Sequence, residues 1–217
     1  MVLVITCAVI LGWAGLRANA AWHFLVAQTI TDDMYEAGAF PPEGLDTAEK
    51  HLQRALARFP GNPDYLGLSG TLKELRASRP GVVGREYRAL LESAARDYRE
   101  ALTVRPLWPY NWVNLLSVKD KLDQRDVEFN RAMQKSAETG PWEPSVQLQL
   151  IRSGVRHWDA LQSPERTLVR DTVADALRVQ PHEVFELARF YVRPDLVCGP
   201  KTRQPRIERW CEQFQGG

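Results

Sequence analysis

The sequence predicts an all-α chain: a degenerate helical-hairpin solenoid preceded by one N-terminal transmembrane helix. Three observations carry this expectation. Ala94, Tyr98 and Ala101 lie four and three residues apart, the spacing that puts side chains on one helix face. The same pattern recurs along the chain, closing on a proline in three of its copies. Runs alternating with period two, the mark of a half-buried strand, are sparse. With 217 residues and 44% hydrophobic content, the chain fits one domain, or one domain plus an appendage, and can bury a core. A net charge of +1 gives no electrostatic argument for nucleic acid, whose partners concentrate basic residues on one face.

From its start, the chain is apolar from residue 2 to residue 16, apart from Thr6, two glycines and Trp13. Fifteen helical residues span about 22 Å against a hydrocarbon core of about 30 Å. Continuing to residue 25 supplies the length but takes in Arg17 and Asn19. Arg17 would cost about 2.5–3.5 kcal/mol at the bilayer centre and less near one end, where it snorkels. Eight Val, Leu and Ile residues before it each return about 0.3–0.6 kcal/mol. The expectation is an uncleaved anchor over residues 1–28, with Trp22 and His23 at the interface. Ala18-Asn19-Ala20 also has the small–x–small form of a signal-peptidase site, but no Lys or Arg precedes the apolar run. A buried amphipathic helix fits less well, because the run is apolar all round.

A helical domain is expected over residues 29–192. The first helix continues towards Ala39, where Pro41-Pro42 stops it, and Asp46 or Thr47 caps the next. Ala48, Leu52, Ala55 and Pro60 repeat the spacings of Ala94, Tyr98, Ala101 and Pro106, and so do Val169, Val173, Ala176 and Pro181. A fainter copy has Phe129 and Ala132, with Ala137 in place of the proline. Small residues let a neighbouring helix approach, and the central larger residue fills the gap. Partner helices are expected over 64–77, 111–122 and 145–161, with Gly70 as a small contact residue and Trp112 as a packing knob. A short helix over 184–192 caps the array, and residues 193–217 read as an aperiodic basic tail carrying Lys201, Arg203, Arg206 and Arg209.

This small–large–small–proline order resembles the second helix of a tetratricopeptide repeat, with Trp112 and Leu115 opening the next. Taking Leu52, Tyr98, Phe129 and Val173 as equivalent gives separations of 46, 31 and 44 residues. A regular array would show about 34, so the resemblance is to a degenerate form. An unrelated helical bundle with helices ending at prolines is the alternative.

Chemistry-bearing motifs are scarce. His23, His51, His157 and His182 are scattered, and Asp32-Asp33 reads as a solvated pair beside the anchor. Without a nucleophile elbow, phosphate loop or dinucleotide fingerprint, no enzyme activity, catalytic residue, cofactor or metal is expected. Cys198 and Cys211 bracket a proline- and base-rich loop that a disulfide would close, which suits an oxidising compartment. The site candidates are Trp108, Tyr110 and Trp142, in turns stiffened by prolines, together with Arg105. Such rings suit stacking on sugars or anchoring a protein partner, although packing is a competing role for each.

The stretches ALTVRPLWPYNWVNLL (101–116), GPWEPSVQL (140–148) and PERTLVRDTVADALRVQP (164–181) resemble membrane-anchored repeat accessory proteins of bacterial exopolysaccharide and O-antigen-ligase-type clusters. That resemblance implies an accessory subunit in polysaccharide polymerisation or export, with membrane-protein partners and polysaccharide nearby. It carries no catalytic residues. The resulting expectation is a single-pass protein of the bacterial inner membrane, its repeat domain periplasmic, acting as a scaffold or adaptor. A glycan-binding module using the turn tryptophans and an assembly factor for another membrane complex are the alternatives.

Overall fold

The computed structural model describes residues 2–198 and 205–215. All regular structure among them is helical: α1 (Val2–Ala37), α2 (Pro42–Leu56), α3 (Pro63–Ala77), α4 (Gly84–Val104), α5 (Pro109–Lys121), α6 (Val127–Thr139), α7 (Pro144–Arg156), α8 (Ser163–Val179), α9 (Pro181–Phe190) and α10 (Pro205–Gln215). Short 3-10 turns follow α7 and α9, at Trp158–Ala160 and Pro194–Leu196. Two compact units divide the chain, Met1–Pro106 and Leu107–Gly217. In the first, α1 pairs with α2 and α3 with α4, while α2 also packs on α3. In the second, α5 pairs with α6 and α7 with α8, and α9 lies against α7 and α8.

Pro60 and Pro106 follow the ends of α2 and α4 as expected, whereas Pro42 and Pro181, read as stops, also open helices. Pro42, Pro63, Pro109, Pro144 and Pro181 each begin one, where the missing N–H costs nothing and the fixed φ is already helical. Residues just before them, such as Pro41, Trp108 and Glu143, are extended, as a following proline requires. Neither Asp46 nor Thr47 therefore caps α2, which has begun four residues earlier. The Thr47 hydroxyl donates back to the Glu43 carbonyl at 2.7 Å. Side-chain caps occur at Asn62, which accepts from the Asp64 and Tyr65 amides, and at Asp126, which accepts from Phe129.

In the first unit, Ala20, Ala27, Thr31 and Met34 form the buried stripe of α1, and Leu45, Ala48, Leu52 and Ala55 that of α2. Tyr98 on α4 enters a slot on α3 where a Cβ at Gly70 would come within 2.5 Å of its ring. In the second unit Phe129, Ala132 and Met133 of α6 and Val169, Val173 and Ala176 of α8 are buried. Gly154 of α7 repeats the slot, since a Cβ there would come within 2.3 Å of Val169.

The N-terminal end differs from expectation. Among the described residues no helix is long and apolar enough to cross a membrane, so a transmembrane span over 1–28 is without support there. Instead α1 passes through that boundary unbroken to Ala37. Its packed stripe begins at Ala20, while Ile5, Val9, Ile10, Leu11, Trp13 and Leu16 are exposed. Arg17 and Asn19, polar groups between the two halves, lower the mean hydropathy of any longer window. At the other end, the segment read as an aperiodic tail contains α10. Its residues Ile207 and Cys211 are buried, and Trp210 meets Phe185 of α9 edge-on with centroids 5.0 Å apart. Lys201 and Arg203 lie outside the described residues.

Candidate functional site

The second unit places two tryptophan-bearing turns side by side. One leads into α5 through Leu107-Trp108-Pro109, the other into α7 through Gly140-Pro141-Trp142-Glu143-Pro144. They meet because residue 140 has no side chain: a Cβ there would lie 2.6 Å from the Pro109 Cβ. Across this contact the Tyr110 hydroxyl donates to Glu143 Oε2 at 2.6 Å. That bond, and secondarily partial burial, raise the Tyr110 pKa, so the phenol keeps its proton throughout the neutral range.

A ladder of side-chain amides extends the edge. Gln147 donates to the Pro141 carbonyl at 2.7 Å, and Gln180 donates to the Pro144 carbonyl at 2.9 Å and to Gln147 Oε1 at 3.0 Å. Gln180 directly precedes α9, so the starts of α5, α7 and α9 are tied together along one edge. These amides donate to carbonyl oxygens in and beside the turn before α7, which stiffens it.

On this frame the aromatic rings are displayed. Trp142 is 73% exposed, Trp108 40% and Leu107 77%. The Trp108 and Tyr110 rings lie 5.5 Å apart and are tilted by 56°, so they do not form a flat stacking platform. Such a cluster supplies apolar contact and ring faces at little cost in ordering, because prolines and hydrogen bonds already hold the backbone. Trp112 is buried, with Arg131 over its ring at 5.6 Å.

The other sequence candidates lie elsewhere. Arg105 belongs to the first unit, where it grips Asp64 with both terminal nitrogens, at 2.6 and 3.3 Å. Cys198 and Cys211 are joined by a disulfide that fastens the segment after α9 to α10. Among the described residues no three His, Cys, Asp or Glu side chains are grouped to hold a metal ion. Sequence reading missed Glu143, the Gly140–Pro109 contact and the glutamine ladder. GPWEP indicated a turn, but nothing local indicated that its glycine and glutamate meet a turn more than thirty residues earlier. No protein-family model, curated protein or solved structure matches the chain.

Proposed function

We propose that this chain is a membrane-anchored, tetratricopeptide-like scaffold that holds protein partners within a bacterial envelope complex. The observation that carries the reading is the division of α1. Its second half is packed into the first unit, while its first half leaves Ile5, Val9, Ile10, Leu11, Trp13 and Leu16 exposed. A soluble surface rarely carries such a continuous apolar patch, and seating it in lipid removes that area from water. Where the apolar run is short of the hydrocarbon thickness, Arg17 snorkels and the bilayer thins locally. A repeat fold suits assembly because stacked hairpins present extended surfaces. A disulfide suits a domain on the extracytoplasmic side. The resemblance of residues 101–116, 140–148 and 164–181 to exopolysaccharide accessory proteins supports polysaccharide polymerisation or export as the setting.

The partner surface in this reading is the edge of Leu107, Trp108 and Trp142. The same exposure favours one other reading, a glycan-binding module, since an exposed indole stacks on a sugar face as readily as it anchors a protein. Crosslinking mass spectrometry on the full chain in native membranes, beside Trp108→Ala and Trp142→Ala variants, separates them. Crosslinks from this edge to a polymerase or export protein, lost in both variants, support the scaffold. Crosslinks to an unrelated membrane complex discard the polysaccharide setting. Absence of any reproducible protein crosslink, with tryptophan-dependent retention on polysaccharide, replaces the scaffold with the glycan module.

A further inference from the structure

We infer that the cleft where α1 meets the α2–α3 turn binds the phosphate of an anionic phospholipid headgroup. The inference rests on the membrane-anchored reading above and adds a lipid class and a site to it. The cleft holds about 550 Å³ and is lined by Arg17, Arg58, Phe59, Asn62 and Tyr65, among others. Its lining contains two guanidinium groups and no carboxylate. Arg17 lies 4.2 Å from the centroid of the Trp13 ring and 5.4 Å from that of Phe59. Two rings thus orient a planar cation that recognises phosphate with paired N–H donors. The carboxylate nearest in sequence, Asp64, is taken by Arg105 at 2.6 Å. Among the described residues neither Arg17 nor Arg58 has an ion pair of its own.

The surrounding charge points the same way. Helices α1 and α2 run antiparallel, with Arg17 beside Phe59, His23 beside His51 and Met34 beside Gly44. The end with Arg17 also carries Lys50, Arg54 and Arg58, with Glu49 beside them paired to Arg76 of α3, whereas the far end carries Asp32, Asp33, Glu36, Glu43 and Asp46. Apolar residues of α1 leave the domain at the basic end. With that half in lipid, the cleft sits at headgroup depth, flanked by Trp13 and by Trp22, which is 62% exposed. A zwitterionic headgroup would bring an ammonium to a cleft that has no carboxylate to receive it. An anionic one leaves its phosphate to the two arginines.

The test is flotation of the full chain with phosphatidylcholine vesicles and with vesicles in which about a third of the lipid is phosphatidylglycerol. The expected result is binding to both, tighter to the anionic vesicles, with the preference falling about fivefold per arginine in Arg17→Gln and Arg58→Gln. Lys50→Gln with Arg54→Gln, on the same basic end but outside the cleft, is expected to leave most of the preference. Circular dichroism checks that each variant is folded, and Arg58→Gln, on an exposed residue, keeps the test alive should Arg17→Gln perturb α1. Equal binding to both vesicle types overturns the inference and leaves the anchor standing. So does a preference lost equally in the Lys50/Arg54 variant, because that is general attraction rather than a site. Binding to neither vesicle overturns the anchor and the inference together.

Discussion

The two units use one plan and fill it differently. In the first, the slot left by Gly70 receives the ring of Tyr98, whose hydroxyl donates to the buried Glu74 at 2.7 Å. In the second, the slot left by Gly154 receives the branched Val169, and the polar burden moves to the helix ends. There Asp120 bonds His157 at 2.7 Å, and the buried Lys119 ammonium meets Asp126 and Glu128 at 2.6 and 2.8 Å. A large ring needs a glycine opposite and a partner for its oxygen, whereas a branched aliphatic needs only the glycine. The first unit therefore carries a buried polar contact on its central residue itself, whereas the second keeps its central residues apolar, places its polar contacts at helix ends and adds a covalent link.

The largest test of this contrast is truncation of the central residues. Tyr98→Ala empties the slot and takes the phenolic donor away from Glu74, with an expected cost of about 3–5 kcal/mol. Phe129→Ala removes a fully buried ring from the second unit, and its expected cost is in the same range of about 3–5 kcal/mol. Hydrogen exchange read helix by helix distinguishes them, with faster exchange in α3 and α4 for the first variant and in α5 to α8 for the second. If both variants loosen every helix alike, the two units do not respond separately and the contrast between them loses its meaning.

The residues at stake in that experiment were legible in the sequence. Ala48, Leu52, Ala55, Ala94, Tyr98, Ala101, Phe129, Ala132, Val169, Val173 and Ala176 were picked by spacing, and all are buried. Spacing within a helix is local, so one face can be read without knowing its neighbour. What could not be read was which faces meet. Gly140 with Pro109, Tyr110 with Glu143 and Arg17 with Phe59 are pairs far apart in sequence, and neither member signals its partner. Pro42 and Pro181 misled for a related reason. A proline ends one helix and begins another with equal ease, and only the length of the turn before it decides between them. The terminal helix α10 was missed because four basic residues and two prolines outweighed the spacing of Ile207, Trp210 and Cys211.

Covalent closure is the next largest difference between the units. Cys198 and Cys211 are 13 residues apart, and opening the link releases about 3 kcal/mol of loop-closure restraint on chain-entropy grounds. Reduction by dithiothreitol is expected to lower the melting temperature and to speed exchange in α9 and α10 first. A melting temperature indifferent to reduction would assign the attachment of α10 to the Phe185–Trp210 contact instead.

Smaller effects come from filling the slots. Gly70→Ala and Gly154→Ala each gain helix propensity worth about 0.5–1 kcal/mol, but the new Cβ meets Tyr98 at 2.5 Å or Val169 at 2.3 Å. Overpacking of that kind costs about 1–3 kcal/mol, so both variants are expected to lose stability on balance. Urea midpoints measure the sign. A gain in either variant would mean that its slot relaxes without penalty and that close approach is not what holds the helix pair.

The finest distinction is the response to pH. Burial first, and then the charge of Glu74, push the Tyr98 pKa well above the ordinary tyrosine value of about 10. Above that value the unfolded chain loses the phenolic proton while the folded chain keeps it. The Tyr98 contribution is therefore complete below about pH 10 and is lost as pH climbs towards the raised value. The second unit offers the opposite sign. At Asp126, burial works to raise the carboxyl pKa, but the hydrogen bonds from Lys119 and the Phe129 amide prevail and lower it. Its contribution is present above the ordinary carboxylate value of about 3.9 and is lost as pH falls. Urea midpoints taken between about pH 9 and pH 11 should fall more steeply for the wild-type chain than for Tyr98→Phe, which keeps the ring and drops the ionisable oxygen. Tyr35, Tyr65 and Tyr110 also have raised values, so the difference between the two slopes isolates Tyr98. Identical slopes would move the alkaline sensitivity to those residues, and the buried Tyr98–Glu74 bond would no longer set the first unit apart.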